Sequence, residues 1–369
     1  MTMDKEFSRA EIDALFEESL RLYSDMKYDE SAEAMFTVFE WRIRNLGVDD
    51  QATLESMHAA AYISNILGNH SEALDLYERL YELRKNKLGE NHRDSLMTLH
   101  NIAFTYEKLG EYVKARDIFI DVLKVREELF GYEDRDTVAT AECLIQVYSD
   151  MRDGNAEIAL REKLYDIRRN SDGKIRFEPI EDLYDITAAC NKYMFRLKAR
   201  KYALECFLLH IKELGLSHKR TLKTLDMLSL AYIRLDEYKK SCALDRVRYK
   251  IFSELYGEKD EKTLRVLEDQ GYAYIEYKDY EKAKKNYAYL SETIRGFEEP
   301  DLSLLASVEY YLARAYLGLG DTAKAKETME KSWRIMCEYY GEDYADTLSI
   351  KEELDNIDNM FDNITEDKI

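Results

Sequence analysis

Residues 94–131 decide the fold of this chain, and they read DSLMTLHNIAFTYEKLGEYVKARDIFIDVLKVREELFG. The stretch holds two amphipathic runs, which are separated by a break at 109–112 and closed by Gly131. In each run, apolar residues recur at spacings of three and four, which predicts an α-helix with one apolar face. Because neither helix can bury that face alone, the pair is expected to stack on further copies of itself. The apolar residues of the first run are Leu96, Leu99, Ile102, Ala103 and Tyr106.

Glycines mark the ends of these copies at a spacing of 42 residues. A glycine just past a helix accepts a positive φ without steric cost, so these positions predict helix ends. Small hydroxyl residues or proline mostly follow six residues later and suit the start of a helix. The glycine slots are Gly47, Gly89, Gly131, Gly173, Gly215, Gly257, Glu299 and Gly341. The slots six residues later are Thr53, Ser95, Thr137, Pro179, Thr221, Thr263, Leu305 and Thr347.

Two further rows share the same spacing. Small residues in the second helix of each pair predict a close approach between helices, and the fourth copy departs from the row with Glu157. The small residues are Ser31, Ala73, Ala115, Ala199, Ser241, Ala283 and Ala325. A tyrosine row in the first helices comprises Tyr106, Tyr148, Tyr232, Tyr274 and Tyr316, with Cys190 in the fifth copy. Four independent rows with one period indicate a repeat array.

We therefore predict an all-α solenoid of eight helical hairpins that spans residues 1–369 as a single array. A further amphipathic helix at 343–361 is expected to cover the last apolar face, because a terminal repeat otherwise exposes that face to water. Residues 362–369 are predicted to be a frayed acidic tail. The predicted hairpins are 8–47, 50–89, 92–131, 134–173, 176–215, 218–257, 260–299 and 302–341.

The stretch 168–179 interrupts this regularity. It reads RRNSDGKIRFEP, carries no apolar stripe and precedes atypical copies. Two interpretations remain open: an ordinary loop between repeats, or a hinge.

Composition narrows the class of protein. The 369 residues are 46% hydrophobic and 35% charged, with a net charge of −20. No concentrated basic face is visible, so nucleic acid is not an expected partner. No apolar run approaches the roughly 18 residues of a membrane-spanning helix, and we expect no secretory signal in the N-terminal segment. Five cysteines without a CxxC pair indicate reduced core thiols, so we expect a cytoplasmic protein without a membrane partner.

The repeat resembles the tetratricopeptide repeats of kinesin light chains and their prokaryotic relatives. The resemblance is carried by 98–103 (TLHNIA), Tyr106, 109–112 (LGEY), Ala115, Arg126 and 88–92 (LGENH). It covers nearly all of 50–131 and 218–341 and is looser at 8–47 and 134–215. It implies a right-handed superhelix whose first helices line a concave groove that holds peptides or partner proteins. Kinesin light chains proper begin with a heptad coiled coil, whereas this sequence begins with a repeat, so a light chain proper is not expected.

If first helices line a groove, residues 42 apart form rows along it. Aromatic side chains in such rows would anchor a partner, because tyrosine and phenylalanine bring large contact area with few rotatable bonds. Core packing is an equally good interpretation for Tyr62 and Phe104, which follow apolar Ala61 and Ala103. The residues predicted to contact a partner are Glu55, His58, Tyr62, Met97, His100, Phe104, Glu107, Glu142, Gln146, Asp226, Arg265, Glu268, Tyr272, Tyr310 and Arg314.

The sequence gives little support for a catalytic site or a metal site. His58, His100 and Glu142 share one row, but packed helices lie about 8–10 Å apart, whereas zinc needs ligands within roughly 2 Å. No phosphate-binding loop, nucleophile elbow, dinucleotide turn or HExxH motif occurs, so we predict no enzyme activity and no cofactor. Arg84, Arg126 and Arg168 share a slot in the last turns of second helices, where a cation would face the helix C-terminal partial charge.

Three functions follow from these observations. The first is a non-enzymatic scaffold that holds a protein or peptide of basic or mixed charge with apolar anchors. The second is a regulatory sensor whose superhelical pitch changes when a peptide binds. The third, an enzyme with an unrecognised site, lacks any supporting motif.

Overall fold

A computed structural model of the chain describes residues 7–170 and 179–366, without the side chains of 179–180 and 358–366. Within these ranges the backbone forms α-helices joined by short turns, and no β-strand occurs. The prediction of an all-α chain built from consecutive helix pairs is therefore confirmed.

The chain divides into two compact units, Met1–Glu178 and Pro179–Ile369. The boundary falls inside the 168–179 stretch that interrupts the repeat pattern. Residues 171–178 of that stretch lie outside the described residues, so the choice between loop and hinge stays a prediction.

Helices of nearly constant length follow one another in both units. The N-terminal unit contains α1 (Arg9–Ser24), α2 (Tyr28–Leu46), α3 (Gln51–Ile66), α4 (His70–Leu88), α5 (Arg93–Lys108), α6 (Tyr112–Phe130), α7 (Arg135–Asp150) and α8 (Gly154–Arg169). The C-terminal unit contains α9 (Pro179–Lys192), α10 (Arg196–Leu214), α11 (Lys219–Arg234), α12 (Tyr238–Tyr256), α13 (Glu261–Glu276), α14 (Tyr280–Arg295), α15 (Leu302–Gly318), α16 (Thr322–Tyr340) and α17 (Ala345–Glu366).

Within each unit, every helix packs against the helix before it and the helix after it, and several first helices also contact the first helix of the next pair. This nearest-neighbour pattern is typical of repeat proteins. At the end of the C-terminal unit, Ile350, Leu354 and Ile357 of α17 pack in one apolar cluster with residues of α15 and α16. The helix continues to Glu366, and residues 367–369 of the predicted tail lie outside the described residues.

The closing glycines adopt a conformation that other residues avoid. Gly89 has φ 96° and ψ 154°, and its amide donates to the carbonyl of Lys85 one turn earlier. Gly131 is similar, with φ 76° and ψ 173°. This combination of positive φ and extended ψ is essentially restricted to glycine, so it constrains the sequence more strictly than the left-handed helical cap expected at these slots.

The hydroxyl row lies in the first turn of the first helices, and the helix cap comes three residues earlier. Asp50, for example, precedes Thr53 and accepts from the amide of Ala52. The hydroxyl of Ser95 instead donates back to the carbonyl of Gly89 at 2.8 Å. Each such bond fixes the start of one hairpin to the end of the preceding one.

Buried arginines join successive hairpins in the N-terminal unit. Nη1 of Arg84 donates to the carbonyl of Asp94 at 3.2 Å and to Oγ1 of Thr98 at 2.9 Å. Nη1 of Arg126 repeats both bonds one period later, to Asp136 at 2.7 Å and Thr140 at 2.6 Å. Each guanidinium group therefore binds the first helix of the following hairpin and not the C-terminal end of its own helix. The arginine lies one turn before that end, and its side chain extends across the junction between the two hairpins.

We call this junction the seam, and we define it by the arginine slot and the hydroxyl slot 14 residues later. The seam changes character along the chain. In the C-terminal unit the two slots first hold His210 with Thr224, whose Nδ1 and Oγ1 atoms lie 3.2 Å apart. They then hold Phe252 with Val266 and Ile294 with Val308, and each of these pairs is buried in one apolar cluster. Polar seams thus give way to apolar seams, and in both kinds the two partners match.

We expect Arg84→Met to lower the free energy of unfolding of the N-terminal unit by roughly 1–3 kcal/mol, because it removes the guanidinium donor from the buried Thr98 hydroxyl and from the part-buried Asp94 carbonyl. The measurement is urea unfolding followed by the fluorescence of Trp41, which is possible because the chain has only two tryptophans and Trp333 can be changed to Phe. The matched control is Arg79→Met, which changes an exposed arginine of the same helix. Equal effects of the two substitutions would contradict the seam bond.

Candidate functional site

In the N-terminal unit, side chains connect the first helices of successive hairpins. Nδ2 of Asn101 on α5 donates to Nε2 of His58 on α3 at 3.0 Å. Nδ1 of His100 lies 3.2 Å from Oγ1 of Thr140 on α7. Both predicted histidines therefore lie where one first helix meets the next.

The two imidazole rings are half-buried and also contact the second helices. His58 meets the ring of Tyr77 edge-on with centroids 5.9 Å apart, and His100 meets Phe119 at 5.3 Å. Burial lowers the pKa of each histidine from 6.5 to about 4, and the nearby Arg84 or Arg126 adds to this effect. Both rings are therefore neutral at pH 7 and can exchange hydrogen bonds without carrying charge.

Tyr62 is the most accessible predicted anchor of this unit, with 42% of its surface exposed. Its ring lies 5.7 Å from the ring of Tyr23, and the two hydroxyl groups are 3.4 Å apart. Tyr23 in turn contacts Tyr28 at 5.4 Å. The hydrogen bond to Tyr62 raises the pKa of Tyr23 to about 12. The exposed Tyr62 and the half-buried Tyr23 and Tyr28 thus form an aromatic cluster on α1, α2 and α3.

Phe104 and Glu107 share the same lysine. Nζ of Lys108 lies 4.6 Å from the centroid of the half-buried Phe104 ring and 2.9 Å from a carboxylate oxygen of Glu107. Glu107 is only 7% exposed, which differs from the expected partner-facing carboxylate. Its slot is that of Asn65 and Ile275, which are buried as well, so the period places it beside the core.

The remaining predicted residues of this unit lie at its surface. Met97 is half-buried, whereas Glu55 and Gln146 are exposed and form hydrogen bonds within their own helices. Glu142 is exposed and accepts from Nη2 of Arg168 at 2.6 Å. We define the N-terminal face as Glu55, His58, Tyr62, Met97, His100, Phe104, Glu142 and Gln146.

In the C-terminal unit, tyrosines connect the corresponding helices. The ring of Tyr272 on α13 meets that of Tyr311 on α15 at 5.8 Å, almost perpendicular. Tyr311 stacks on the fully buried Tyr287 at 5.5 Å. Gly271 permits this packing, since a Cβ there would lie 2.7 Å from Cζ of Tyr287.

Tyr310 and Arg314 extend this cluster toward the last helix. The hydroxyl of Tyr310 donates to a carboxylate oxygen of Glu353 on α17 at 2.7 Å. The guanidinium carbon of Arg314 lies 6.0 Å from the Tyr310 ring centroid, and its Nη2 is 3.9 Å from a carboxylate oxygen of Glu276. The predicted row thus continues over three successive first helices.

A pocket of about 370 Å³ opens beside these tyrosines, between α15, α16 and α17. Met336 and Ile350 contribute apolar surface to it. Tyr340 and Tyr344 form part of its wall, where their rings stack 4.8 Å apart and are 42% and 44% exposed. The complete lining is Ser303, Ala306, Ser307, Tyr310, Tyr311, Met336, Tyr340, Tyr344, Asp346, Ser349 and Ile350.

The other predicted residues of this unit pair within the chain. Arg265 is exposed and bonded to Glu261, and a carboxylate oxygen of Glu268 accepts from the hydroxyl of Ser307 at 3.1 Å. Asp226 is bonded to Nε of Arg248 at 2.7 Å. We define the C-terminal face as Asp226, Arg265, Glu268, Tyr272, Tyr310 and Arg314.

Comparison with known proteins bears on these helix pairs. A sequence profile described as tetratricopeptide repeat matches residues 50–128, and a second profile of the same description matches residues 307–333. The chain carries tetratricopeptide repeats. No curated protein sequence matches it.

Solved tetratricopeptide structures are similar to it at low identity. A Podosopora anserina protein of the kinesin light chain type is 17% identical, with 68% of this chain and 98% of that chain covered and a TM-score of 0.37. BtubC from P. vanneervenii is 15% identical, with 78% and 92% covered and a TM-score of 0.40. The C-terminal part of a repeat protein from Cytophaga hutchinsonii is 15% identical, with 79% and 98% covered and a TM-score of 0.48.

Several residues that lie beside the N-terminal and C-terminal faces were not predicted from the 42-residue period. Tyr23 lies in the degenerate first repeat, and Glu353 lies in the helix after the last repeat. Tyr340 directly precedes the closing Gly341, a position that marks the end of a helix and gives no hint of a pocket. Only Tyr311 could have been inferred from the rows, because it directly follows the predicted Tyr310.

The described residues contain neither a cluster of metal ligands nor a membrane-spanning helix. No three histidine, cysteine, aspartate or glutamate side chains in 7–170 and 179–366 are grouped as a metal site. No helix in the described part of the chain is long and apolar enough to cross a membrane.

Proposed function

We propose that this protein is a non-enzymatic, cytoplasmic scaffold that binds a peptide segment or a protein partner on its first helices. Tetratricopeptide repeats typically serve protein–protein interaction, which supports the general class. The observation that carries the proposal is the exposed Tyr62 ring, which the half-buried Tyr23 holds in place through a ring contact and a hydrogen bond. Such rigid, accessible tyrosines are typical anchors of binding sites.

The charge of the N-terminal face favours a basic or mixed partner. Glu55 is exposed on α3, Glu142 is exposed on α7, and the whole chain carries a net charge of −20. Acidic surfaces attract cationic partners over distances comparable to the Debye length, roughly 8 Å at physiological ionic strength. Binding should therefore weaken as salt concentration rises, while the apolar anchors retain part of it.

The test begins with the full chain as bait in a native lysate and continues with the purified partner. We expect Tyr62→Ala combined with Phe104→Ala to weaken binding of that purified partner by roughly 30-fold or more, which corresponds to about 2 kcal/mol for a hot spot. Isothermal titration calorimetry measures the affinity, and Trp41 fluorescence verifies that the unit stays folded.

The matched control is Ile120→Ala, which changes an apolar residue that is 40% exposed on the second helix α6. It is expected to leave the affinity unchanged. Unchanged binding by the Tyr62 and Phe104 variant, with the fold intact, would show that the N-terminal face is not the binding surface.

A further inference from the structure

Helix α10 presents a row of leucines to solvent. Leu197, Leu204 and Leu208 are spaced by seven and four residues, so they lie on one face of the helix. Their side chains are 64%, 39% and 57% exposed. Lys201 and Lys212 are exposed on the same face, four residues from Leu197 and Leu208. Isolated exposed leucines are ordinary, whereas contiguous apolar surface with a polar rim marks interaction sites.

Comparison of equivalent slots shows that this row is specific to α10. The Leu208 slot is exposed in all eight hairpins, so the repeat itself directs the slot outward. The seven other hairpins hold a charged residue there: Glu40, Glu82, Lys124, Asp166, Lys250, Glu292 and Arg334. The Leu204 slot is charged in four of the others, at Glu78, Glu162, Arg246 and Glu330. No other second helix has apolar residues in all three slots.

The surroundings of the leucine row are basic. Residues 192–250 contain fifteen lysines and arginines but six aspartates and glutamates, a net charge of +9 in a chain that carries −20. Helix α12 is the next second helix, and both α10 and α12 pack against α11. The equivalent face of α12 is exposed and holds Lys239, Ala243, Arg246, Lys250 and Glu254. This local excess of positive charge was not predicted from the sequence.

The cationic groups beside the leucines are accessible to a ligand. Nζ of Lys201 lies 4.6 Å from the ring centroid of Tyr202, and Nζ of Lys239 lies 4.8 Å from that of Tyr277. Both lysines remain exposed. The other three, Lys212, Arg246 and Lys250, form no ion pair with the side chains that the structure describes. We define the outer face as Leu197, Lys201, Leu204, Leu208, Lys212, Lys239, Arg246 and Lys250.

We propose that the outer face binds an acidic amphipathic helix of a partner protein. Leu204 and Leu208 are four residues apart and form a ridge of the kind that packs into the groove of a second helix. Glutamates or aspartates beside the apolar stripe of that helix would reach Lys201 and Lys212 on α10 and the basic row of α12. The leucines contribute apolar contact area, and the five cations select an acidic partner.

A protein helix fits the outer face better than a membrane or a nucleic acid does. A bilayer would have to accept the neighbouring α12 face, whose apolar contribution is Ala243 alone, and the remaining chain, which carries −29, would be repelled by anionic lipid. Phosphate contacts would use the five cations but leave the three leucines without a role. An amphipathic helix uses both kinds of residue.

This surface is separate from the one on which the proposed function rests. It lies on second helices of the C-terminal unit and is basic, whereas the N-terminal face lies on first helices and is acidic. Tyr62→Ala combined with Phe104→Ala should therefore leave binding at the outer face unchanged. Loss of binding in that variant would place the acidic helix on the N-terminal face and overturn the assignment.

The test uses the full chain and a fluorescent synthetic peptide of the length of α10. The peptide carries leucines at spacings of three and four and glutamates beside them, and its control has lysine in place of every glutamate. We expect the glutamate peptide to bind about tenfold or more tightly than the lysine peptide, with a preference that shrinks at high salt. Fluorescence anisotropy measures both affinities. Equal binding of the two peptides, or no binding of the glutamate peptide, would overturn the proposal.

The decisive variant is Leu204→Glu combined with Leu208→Glu. It copies Glu78 and Glu82, which occupy the same slots in the second hairpin, so the fold is expected to persist. Binding of the glutamate peptide should weaken by roughly 30-fold or more, because two apolar contacts are lost and two like charges are introduced. The matched control is Ile120→Glu, which changes the Leu204 slot of α6 at a similar exposure of 40% and should have no effect. Unchanged binding by the folded double variant would exclude the outer face.

Two further ligands identify the class of partner. Vesicles of phosphatidylcholine and phosphatidylserine, and a short DNA duplex, are added under the conditions in which the glutamate peptide binds. We expect neither to compete with the peptide. Competition that disappears in the Leu204 and Leu208 variant would show that the outer face takes a membrane or a nucleic acid, and the proposal of a protein helix would be wrong.

Discussion

Arg248→Met is expected to lower the free energy of unfolding of the C-terminal unit by roughly 3–5 kcal/mol, as is typical when one partner of a buried ion pair is removed. Arg248 is only 5% exposed and binds three carboxylates, those of Asp226, Asp245 and Asp269, at 2.7, 2.7 and 3.1 Å. Asp245 is fully buried, so the substitution leaves its charge without a cation. Urea unfolding followed by Trp333 fluorescence, with Trp41 changed to Phe, measures the effect.

The repeat supplies a matched control for this prediction. In the preceding hairpin the slots of Asp245 and Arg248 hold Ala203 and Cys206, which are buried and apolar. The double variant Asp245→Ala, Arg248→Cys should therefore recover most of the lost stability, because it removes both buried charges together. Asp226 and Asp269 keep 42% and 48% of their side chains exposed and can turn to water. A double variant as unstable as Arg248→Met would contradict the account.

The second large effect is a loss of stability of the N-terminal unit at acidic pH. Because the pKa of His58 and His100 is about 4 in the folded protein and 6.5 otherwise, the unfolded chain takes up protons first as pH falls. The stability that the neutral rings contribute is fully present above pH 6.5 and is lost as pH falls from 6.5 to about 4. For each histidine, the free energy of unfolding of the N-terminal unit should fall by roughly 3 kcal/mol over that pH range, at about 1.4 kcal/mol per pH unit.

The double variant His58→Gln, His100→Gln tests this pH dependence. Glutamine retains a hydrogen-bonding side chain but does not titrate, so the slope of stability against pH should fall by about 1.4 kcal/mol per pH unit for each histidine. Urea unfolding between pH 4 and 7.5, followed by Trp41 with Trp333 changed to Phe, gives the slope. The control is His92→Gln, which changes a solvent-exposed imidazole in the same unit. An unchanged slope in the double variant would refute the buried, neutral state of the rings.

The fold could be predicted because its constraints are local and repeated. Gly89 and Gly131 require a conformation that glycine alone tolerates, and Ala73 and Ala115 are fully buried where helices approach. These requirements recur every 42 residues, so a period in the sequence reports them directly. Boundaries became less regular where the marks are absent: α14 ends at Arg295, before the slot in which Glu299 replaces glycine.

The candidate site was less predictable, because contacts across a seam depend on pairs of residues. The rows placed His58 and His100 on first helices, but not their partners Asn101 and Thr140. Of the Arg248 cluster the rows included only Asp226, since Asp245 and Arg248 are charged residues in slots that are apolar in most other hairpins. The clue was present in the sequence: Asp245 and Arg248 replace Tyr77 and Leu80 of the second hairpin. This substitution becomes visible only when residues at equivalent positions of different hairpins are compared, and not when neighbouring residues of one hairpin are.

The matched seams have a consequence for how such a chain can evolve. A guanidinium brought opposite Val266 would lose the hydroxyl acceptor of the polar seams, and an isoleucine brought opposite Thr98 would leave the threonine hydroxyl without the guanidinium donor. Duplication or recombination that shuffles hairpins is therefore penalised unless compatible ends meet. The order of the hairpins in this chain is therefore constrained by the side chains that meet at each junction.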